Sequence, residues 1–347
     1  MIDTNLNYKS LQSELLDIAS EYLNDTLDYG RLSETTAAYK SLLHQLYDEE
    51  LDNETGRGDI AFTNGKAIGT FWAALCLDDL IRTRGFIKGI DLAIQEKLKD
   101  QKPLHILYAG TGPYATLLLP LMLKYAQNNF KYTFIEINPL SLQVLKQVIS
   151  KIGFHDFDIT YIQEDASTYQ IDRDNQPDII ISETMQRALQ KEQQVPIFLN
   201  LMDQAKADTV FIPEKIELLV GLTNDGFDFN NQQPEDFQKV GKLFEMSKAS
   251  LLPKNRWIDE QNGEFVFQKT AVRIGEDQLE NAHHLFLITE IQTYGEERII
   301  VNESGLTVPT YLQSINENQS KDLFIESQYM ISDEPRLNYR IWFSDQE

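Results

Sequence analysis

The chain contains one cysteine, Cys76, in 347 residues. No intrachain disulfide can form, which fits a reducing compartment. Basic residues are also scarce, 31 against 54 acidic ones, for a net charge of −23. A field of that sign repels nucleic acid and anionic membranes and attracts cations. It serves solubility or the steering of a basic substrate, and charge alone leaves the two open. Long apolar runs are missing too. The longest, ATLLLPLML at 115–123, is too short to span a bilayer and contains Pro120. The opening MIDTNLNYKS lacks the basic-then-apolar pattern of a secretory signal. The expectation is a soluble, cytoplasmic protein with no nucleic-acid and no membrane partner. There is no GK[ST] and hence no P-loop, no internal repeat and no low-complexity tract. His283 and His284 open an alternating strand, and no cysteine or carboxylate spacing around them suggests a metal. With 42% hydrophobic residues, a sizeable core needs no such staples.

What is present changes rhythm twice. Residues 1–100 read as helical: Leu11, Leu15, Ile18, Ala19 and Tyr22 recur at helical spacing, and a second stretch runs from about Ser33 to Tyr47. DNETGRGDIAFTNGKAIG at 52–69 reads as a loop, with its RGD triplet as plain loop chemistry. From about Lys102, short apolar strands (LHILYAG, YTFIEI, DITYIQED, DIIIS, TVFI) alternate with helical stretches, among them PYATLLLPLMLKYAQ. That alternation predicts a parallel sheet covered on both faces. After Pro213 the segments KIELLVGL, EFVFQKTAVRI, HLFLITEIQTY, ERIIVN, DLFIESQYMI and LNYRIWF are strand-like, with PEDFQKVGKLFEMSK as a possible helix among them. This predicts a mostly antiparallel barrel or sandwich.

Ligands of an open α/β sheet bind at the carboxyl ends of its strands. After the first strand stands AGTGPY, where Gly110 and Gly112 permit a tight turn and close backbone approach. Pro113 suits the first turn of the expected following helix, whose N-terminus would attract an anionic group. After the second strand stands Glu136, 24 residues beyond Gly112, placed to accept both hydroxyls of a ribose. After the third strand, Asp165 is a candidate acceptor for an adenine amino group, with backbone at Ala166 completing the edge. Each acid alone reads as a solvated loop or cap residue, but three consecutive strand ends together describe an adenosine pocket for a ligand with a charged tail. NAD and S-adenosylmethionine both answer to that. AGTGPY is poor in glycine for a pyrophosphate cradle, which favours S-adenosylmethionine. The fourth strand ends on a carboxylate, Glu183, and Glu192 follows nine residues later.

These features resemble the class I S-adenosylmethionine-dependent methyltransferases, and within them the protein arginine methyltransferases. DIIISETM is similar to that family's fourth strand and S-E-x-M entry to its double-glutamate loop, with the same nine-residue spacing of Glu183 and Glu192. DLIRTRGF at 79–86 resembles its D-x-x-R-T-x-x-Y helix, and FIPEKIELLVGL at 211–222 its step into a C-terminal barrel. The resemblance covers roughly residues 75–222. It implies S-adenosyl-L-methionine as cofactor, with Arg82 on the cofactor's carboxylate and Glu183 and Glu192 as catalytic residues that clamp a guanidine or amine. It implies a Rossmann-like parallel sheet methyltransferase domain over 101–213, preceded by a helical region over 1–100 whose later part completes the cofactor site, and followed by a β-barrel-like domain over 214–347. The substrate is then a basic peptide, protein or small amine. Four departures touch substrate recognition. TNGKA at 63–67 replaces the aromatic lid helix, no T-H-W tripeptide occurs, Gln186 replaces a glycine and Phe86 a tyrosine. Methyl transfer is the expectation, and arginine stays open as its acceptor. The first helices are expected to close over the cofactor in place of the lid. The segment TNDGFDFNNQQPEDF at 223–237 stands where family members pair, so a homodimer arm and a plain loop are both open. Transfer of the aminocarboxypropyl chain, methylation of another small molecule and a silent cofactor-binding subunit are the competing readings.

Overall fold

The face formed by Leu11, Leu15, Ile18, Ala19 and Tyr22 is buried on helix α1, Ile2–Tyr22. The computed structural model describes residues 2–344 apart from 48, 101, 225–226, 230, 261–262 and 316–320. Helix α2, Tyr29–Leu46, starts on Asp28, whose side chain caps the amides of Gly30 and Arg31. Together α1 and α2 pack on the helices Leu80–Leu98, Leu119–Lys124 and Pro139–Ile152, and neither contributes a described residue to the lining of the cavity at the strand ends. The expectation that they close the site is therefore corrected. The apolar stripes that would reach a cofactor are used to cover neighbouring helices.

The segment expected as a loop at 52–69 is ordered. It holds a one-turn helix α3, Glu54–Arg57, and a tight hairpin of β1, Ile60–Phe62, with β2, Gly65–Ala67. The RGD triplet is engaged internally. Arg57 pairs with Asp52 and lies over the rings of Phe71 and Trp72, and Asp59 accepts from Lys66 Nζ at 2.6 Å and from the Gly69 amide at 3.0 Å. Two helices follow, α4, Thr70–Leu75, and α5, Leu80–Leu98.

The central sheet is five parallel strands: β3, His105–Ala109; β4, Lys131–Ile135; β5, Asp158–Ile162; β6, Ile179–Ser182; and β7, Val210–Ile212. Their order is β5-β4-β3-β6-β7, so the chain runs outward from β3 to one edge and then crosses to β6 on the other side. β3 and β6 are buried at every residue while edge strand β5 is only partly covered. That is why the central strands read as unbroken apolar runs. The connecting helices are α6, Leu119–Lys124; α7, Pro139–Ile152; and α8, Gln194–Gln204. The helix expected from Pro113 is thus corrected. Residues 112–118 form turns with Ala115 at φ +45°, and the helix starts at Leu119, with Pro120 at its head. No helix N-terminus stands directly behind the glycine turn.

Among the described residues, ten antiparallel strands follow, in two five-stranded sheets. One contains β8, Lys215–Asn224; β9, Gln238–Ser247; β13, Ala282–Tyr294; β14, Glu297–Ile299; and β15, Thr310–Ser314. The other contains β10, Arg256–Ile258; β11, Phe265–Phe267; β12, Thr270–Ile274; β16, Leu323–Ile331; and β17, Arg336–Phe343. A single helical turn, α9, Glu276–Leu279, joins β12 to β13. The sheets meet where β9 packs on β12 and β16. β9 corrects the helix considered for 234–248. Pairing with β8 along its length outweighs a local helical preference. In the segment 223–237, residues 225–226 and 230 lie outside the described residues; Phe227, Phe229 and Phe237 pack on Phe286 of the chain's own barrel.

Helix α5 is pinned to this barrel. A Cβ on Gly89 would lie 2.5 Å from Thr293 Oγ1, and one on Gly85 2.9 Å from Ile299 Cγ1, so both glycines mark a close helix–strand approach. The Thr293 hydroxyl also donates to the Gly85 carbonyl at 3.0 Å. Gly89→Ala is expected to lower stability by about 1–3 kcal/mol through overpacking, measured by urea denaturation.

Candidate functional site

The carboxyl ends of β3, β4, β5 and β6 surround a cavity of about 220 Å³. Its lining includes Arg82, Gly110, Gly112, Glu136, Asp165, Ala166, Glu183 and Glu192, all the candidate catalytic and cofactor-binding residues expected from the sequence. They reach it from four strand ends, helix α5 and the loop after β6.

Gly110 and Gly112 follow β3 with φ of +72° and +59°. A Cβ on Gly110 would stand 2.2 Å from Thr184 Cγ2, so only glycine fits. Glu136, just past β4, is buried. Its Oε2 accepts the Gly112 amide and its Oε1 the Asn138 amide, both at 2.8 Å. Burial pushes this carboxyl above its usual range, against the pull of those two N–H donors. The acid therefore braces the glycine turn while lining the cavity. Asp165 Oδ1 accepts the Ser167 amide at 2.8 Å, and the Ala166 carbonyl accepts from Asn200 at 2.9 Å.

Arg82 lies in the first turn of α5, where Asp79 caps its amide at 3.1 Å. Its Nη1 donates to the Cys76 carbonyl at 2.9 Å, and its Nη2 is ion-paired with Glu183 Oε2, both side chains being buried. The other Asp79 oxygen accepts from Ser304 Oγ at 2.7 Å and the Gly305 amide at 2.8 Å, so a barrel loop closes against the arginine's helix. Cys76 contributes its carbonyl; burial pushes its thiol up, away from thiolate chemistry.

Glu192 is not the exposed start of a helix. It is buried, two residues before α8, and forms no ion pair among the described residues. Burial pushes its carboxyl up to about 7, against a hydrogen bond from Gln186 and the positive charges of Lys66 and Arg82. The loop delivering it is strained, with Ala188, Leu189 and Lys191 at φ of +59°, +54° and +68°. The barrel holds that conformation. Thr289 Oγ1 accepts the Ala188 amide at 3.0 Å, Tyr329 donates to the Leu189 carbonyl at 2.5 Å, and the Pro335 carbonyl accepts the Lys191 amide at 2.9 Å. Such strain persists only where surrounding contacts over-determine it.

Sequence reasoning missed Gln194, whose amide accepts from the Thr184 amide at 2.8 Å and donates to the Ser182 carbonyl at 3.0 Å, stapling the loop to the strand end beside Glu183. It also missed Lys66 and Asp79. The capping position of Asp79, three residues before Arg82, was a readable signal; a lysine in a polar turn was not. Among the described residues, no group of His, Cys, Asp and Glu is placed to hold a metal ion, and no helix is long and apolar enough to cross a membrane.

No protein-family model matches the sequence, and no curated protein matches it. Among solved structures, the chain is similar to the Trypanosoma brucei PRMT1 enzyme–prozyme heterotetrameric complex with AdoHcy, at 19% identity over 78% of this chain and 92% of that one, with a TM-score of 0.51. That likeness is one of fold: the chain has the architecture of that PRMT1, a Rossmann-like parallel sheet followed by a β-barrel-like antiparallel region.

Proposed function

We propose that the protein is an S-adenosylmethionine-dependent methyltransferase that N-methylates a guanidine or amine on a basic peptide, protein or small molecule. The observation that carries this reading is the meeting of Glu183 and Glu192 in one cavity with the glycine turn, Glu136 and Asp165. The residues suit the cofactor. Gly110 and Gly112 line the cavity with positive-φ backbone, Glu136 stands beside them on the cavity wall for the ribose hydroxyls, and Asp165 Oδ2, whose contact from Gln193 is long at 3.4 Å, is placed for an adenine amino group. Arg82 keeps guanidinium donors beyond those engaged by Cys76 and Glu183, enough for a carboxylate. The likeness to a fold that holds AdoHcy supports the same assignment. When bound, S-adenosylmethionine supplies a methyl group activated by its sulfonium.

The protein's own part is to hold the nucleophile in line and manage its proton. Glu183, oriented by Arg82, accepts charge-assisted hydrogen bonds from the substrate nitrogen. Glu192, near half-ionised at neutrality, gains its full charge when a cation arrives and can take up the departing proton. The net charge of −23 steers basic substrates toward the protein.

Glu183→Gln is expected to bind S-adenosylhomocysteine within about threefold of wild type while turnover falls by roughly 10²–10³-fold, the size seen when a transition-state hydrogen bond is removed. Labelled methyl transfer to arginine-rich peptides, lysine-rich peptides and small amines measures it. Undiminished turnover overturns the clamp. Mass analysis of the product separates a methyl group from the larger aminocarboxypropyl chain.

A further inference from the structure

The hairpin of β1 and β2 forms part of the cavity wall and is tied to two of its loops at once. Asn64, in its turn, donates through Nδ2 to Ser167 Oγ at 2.9 Å and accepts from Gln193 Nε2 at 2.7 Å. Gln193 is 3% exposed, so its amide protons must find protein partners. The same Nε2 faces Asp165 Oδ2 at 3.4 Å, a long and weak contact. Asp165 Oδ1 is meanwhile fixed by the Ser167 amide at 2.8 Å. Asp165, Gln193, Asn64 and Ser167 thus close a ring.

Glu192 sits inside the same framework. The Lys66 amide donates to the Lys191 carbonyl at 2.9 Å, and Lys66 and Glu192 form a parallel bridge. Gly65, at φ +127°, lies so close that a Cβ would stand 3.1 Å from the Glu192 carbonyl carbon and from the Lys191 oxygen. The residues on both sides of Glu192 are therefore held by the hairpin, Lys191 through Lys66 and Gln193 through Asn64. The hairpin in turn is held by the loop carrying Asp165.

We propose that Asn64 and Gln193 are positioning residues that couple occupancy of the adenosine half of the cavity to the placement of Glu192. This rests on the reading of the cavity as an S-adenosylmethionine site. A donor arriving at Asp165 Oδ2 replaces the weak contact from Gln193. The buried amide then tightens on Asn64, and the hairpin and the Glu192 loop settle together. Neither residue touches the reacting atoms.

Amide hydrogen exchange of the full chain with and without S-adenosylhomocysteine tests the coupling. In wild type the ligand should slow exchange at 164–167 and also at the Lys66, Lys191 and Glu192 amides, by about tenfold or more. In Asn64→Ala, binding should persist within about threefold and protection at 164–167 should remain, while the added protection at Lys66, Lys191 and Glu192 disappears. Asn64→Asp, whose carboxylate can accept from both Gln193 and the Ser167 hydroxyl, should restore it. Protection at Lys66, Lys191 and Glu192 that survives in Asn64→Ala overturns the coupling and leaves the cofactor reading standing. No binding of S-adenosylhomocysteine to wild type overturns the cofactor reading itself, and the coupling with it.

Discussion

Replacing Glu192 with glutamine is expected to lower turnover by roughly 10²–10⁴-fold, the range for loss of a positioned general base. The same change should make the unliganded protein more stable at pH 8. The signs follow from one fact. Burial raises the Glu192 carboxyl from 4.5 to about 7, so the folded state holds this proton more tightly than the unfolded chain does. Stability from this group is fully present below pH about 4.5 and is lost as pH rises through about 7. Above that, wild type carries a buried carboxylate whose hydrogen bond from Gln186 and nearby positive charges do not offset its desolvation, a burden of roughly 3 kcal/mol that glutamine lacks. Denaturation of Glu192→Gln at pH 4 and pH 8 should therefore show little difference at the first and a gain at the second. Activity runs the opposite way in wild type. The clamp needs the ionised form, so kcat/KM should fall as pH drops below about 7, and this acid limb should be absent from the residual activity of Glu192→Gln. A variant equally active, or one with an unchanged acid limb, removes Glu192 from the chemistry.

Arg82→Met alone is expected to cost about 3–5 kcal/mol, because it leaves Glu183 buried and charged with no counter-ion. The double change Arg82→Met with Glu183→Met should recover most of that loss, since replacing a buried pair by apolar side chains is often neutral or stabilising. Arg82→Lys should not rescue cofactor binding. One ammonium lacks the planar fork that holds the Cys76 carbonyl and Glu183 while presenting donors to a carboxylate. Urea denaturation of the single and double variants, with calorimetry for S-adenosylhomocysteine, gives both numbers. A double variant as unstable as Arg82→Met would show that Arg82 supports the fold by packing rather than by its charge.

How far this was legible in the chain differs by element. The central parallel strands announced themselves because a strand buried on both faces reads as an apolar run bounded by turns, as IIIS does at 179–182. The candidate residues at strand ends followed from that topology, since each stands directly after an apolar run. Helix boundaries were less faithful. PYATLLLPLMLKYAQ has helical composition throughout, yet the backbone turns at Gly112–Leu118 before a helix can begin. PEDFQKVGKLFEMSK was open to a helical reading, and pairing with β8 decided for a strand. TNGKA carries a hairpin turn, but its docking on Lys191 and Gln193 involves residues more than a hundred positions away.

By itself the sequence determined the order of elements, the carboxyl-end location of a pocket and the types of side chain that line it. All of these rest on short-range periodicity and on sterics between near neighbours. The tertiary structure alone decided the charge state and posture of the site. Glu192 owes its raised carboxyl to burial, its loop owes its left-handed residues to Thr289, Tyr329 and Pro335, and Asp79 is locked by Ser304 and Gly305 from the far end of the chain. Burial and long-range hydrogen bonds exist only once the barrel has closed on the sheet, so no local pattern can encode them legibly.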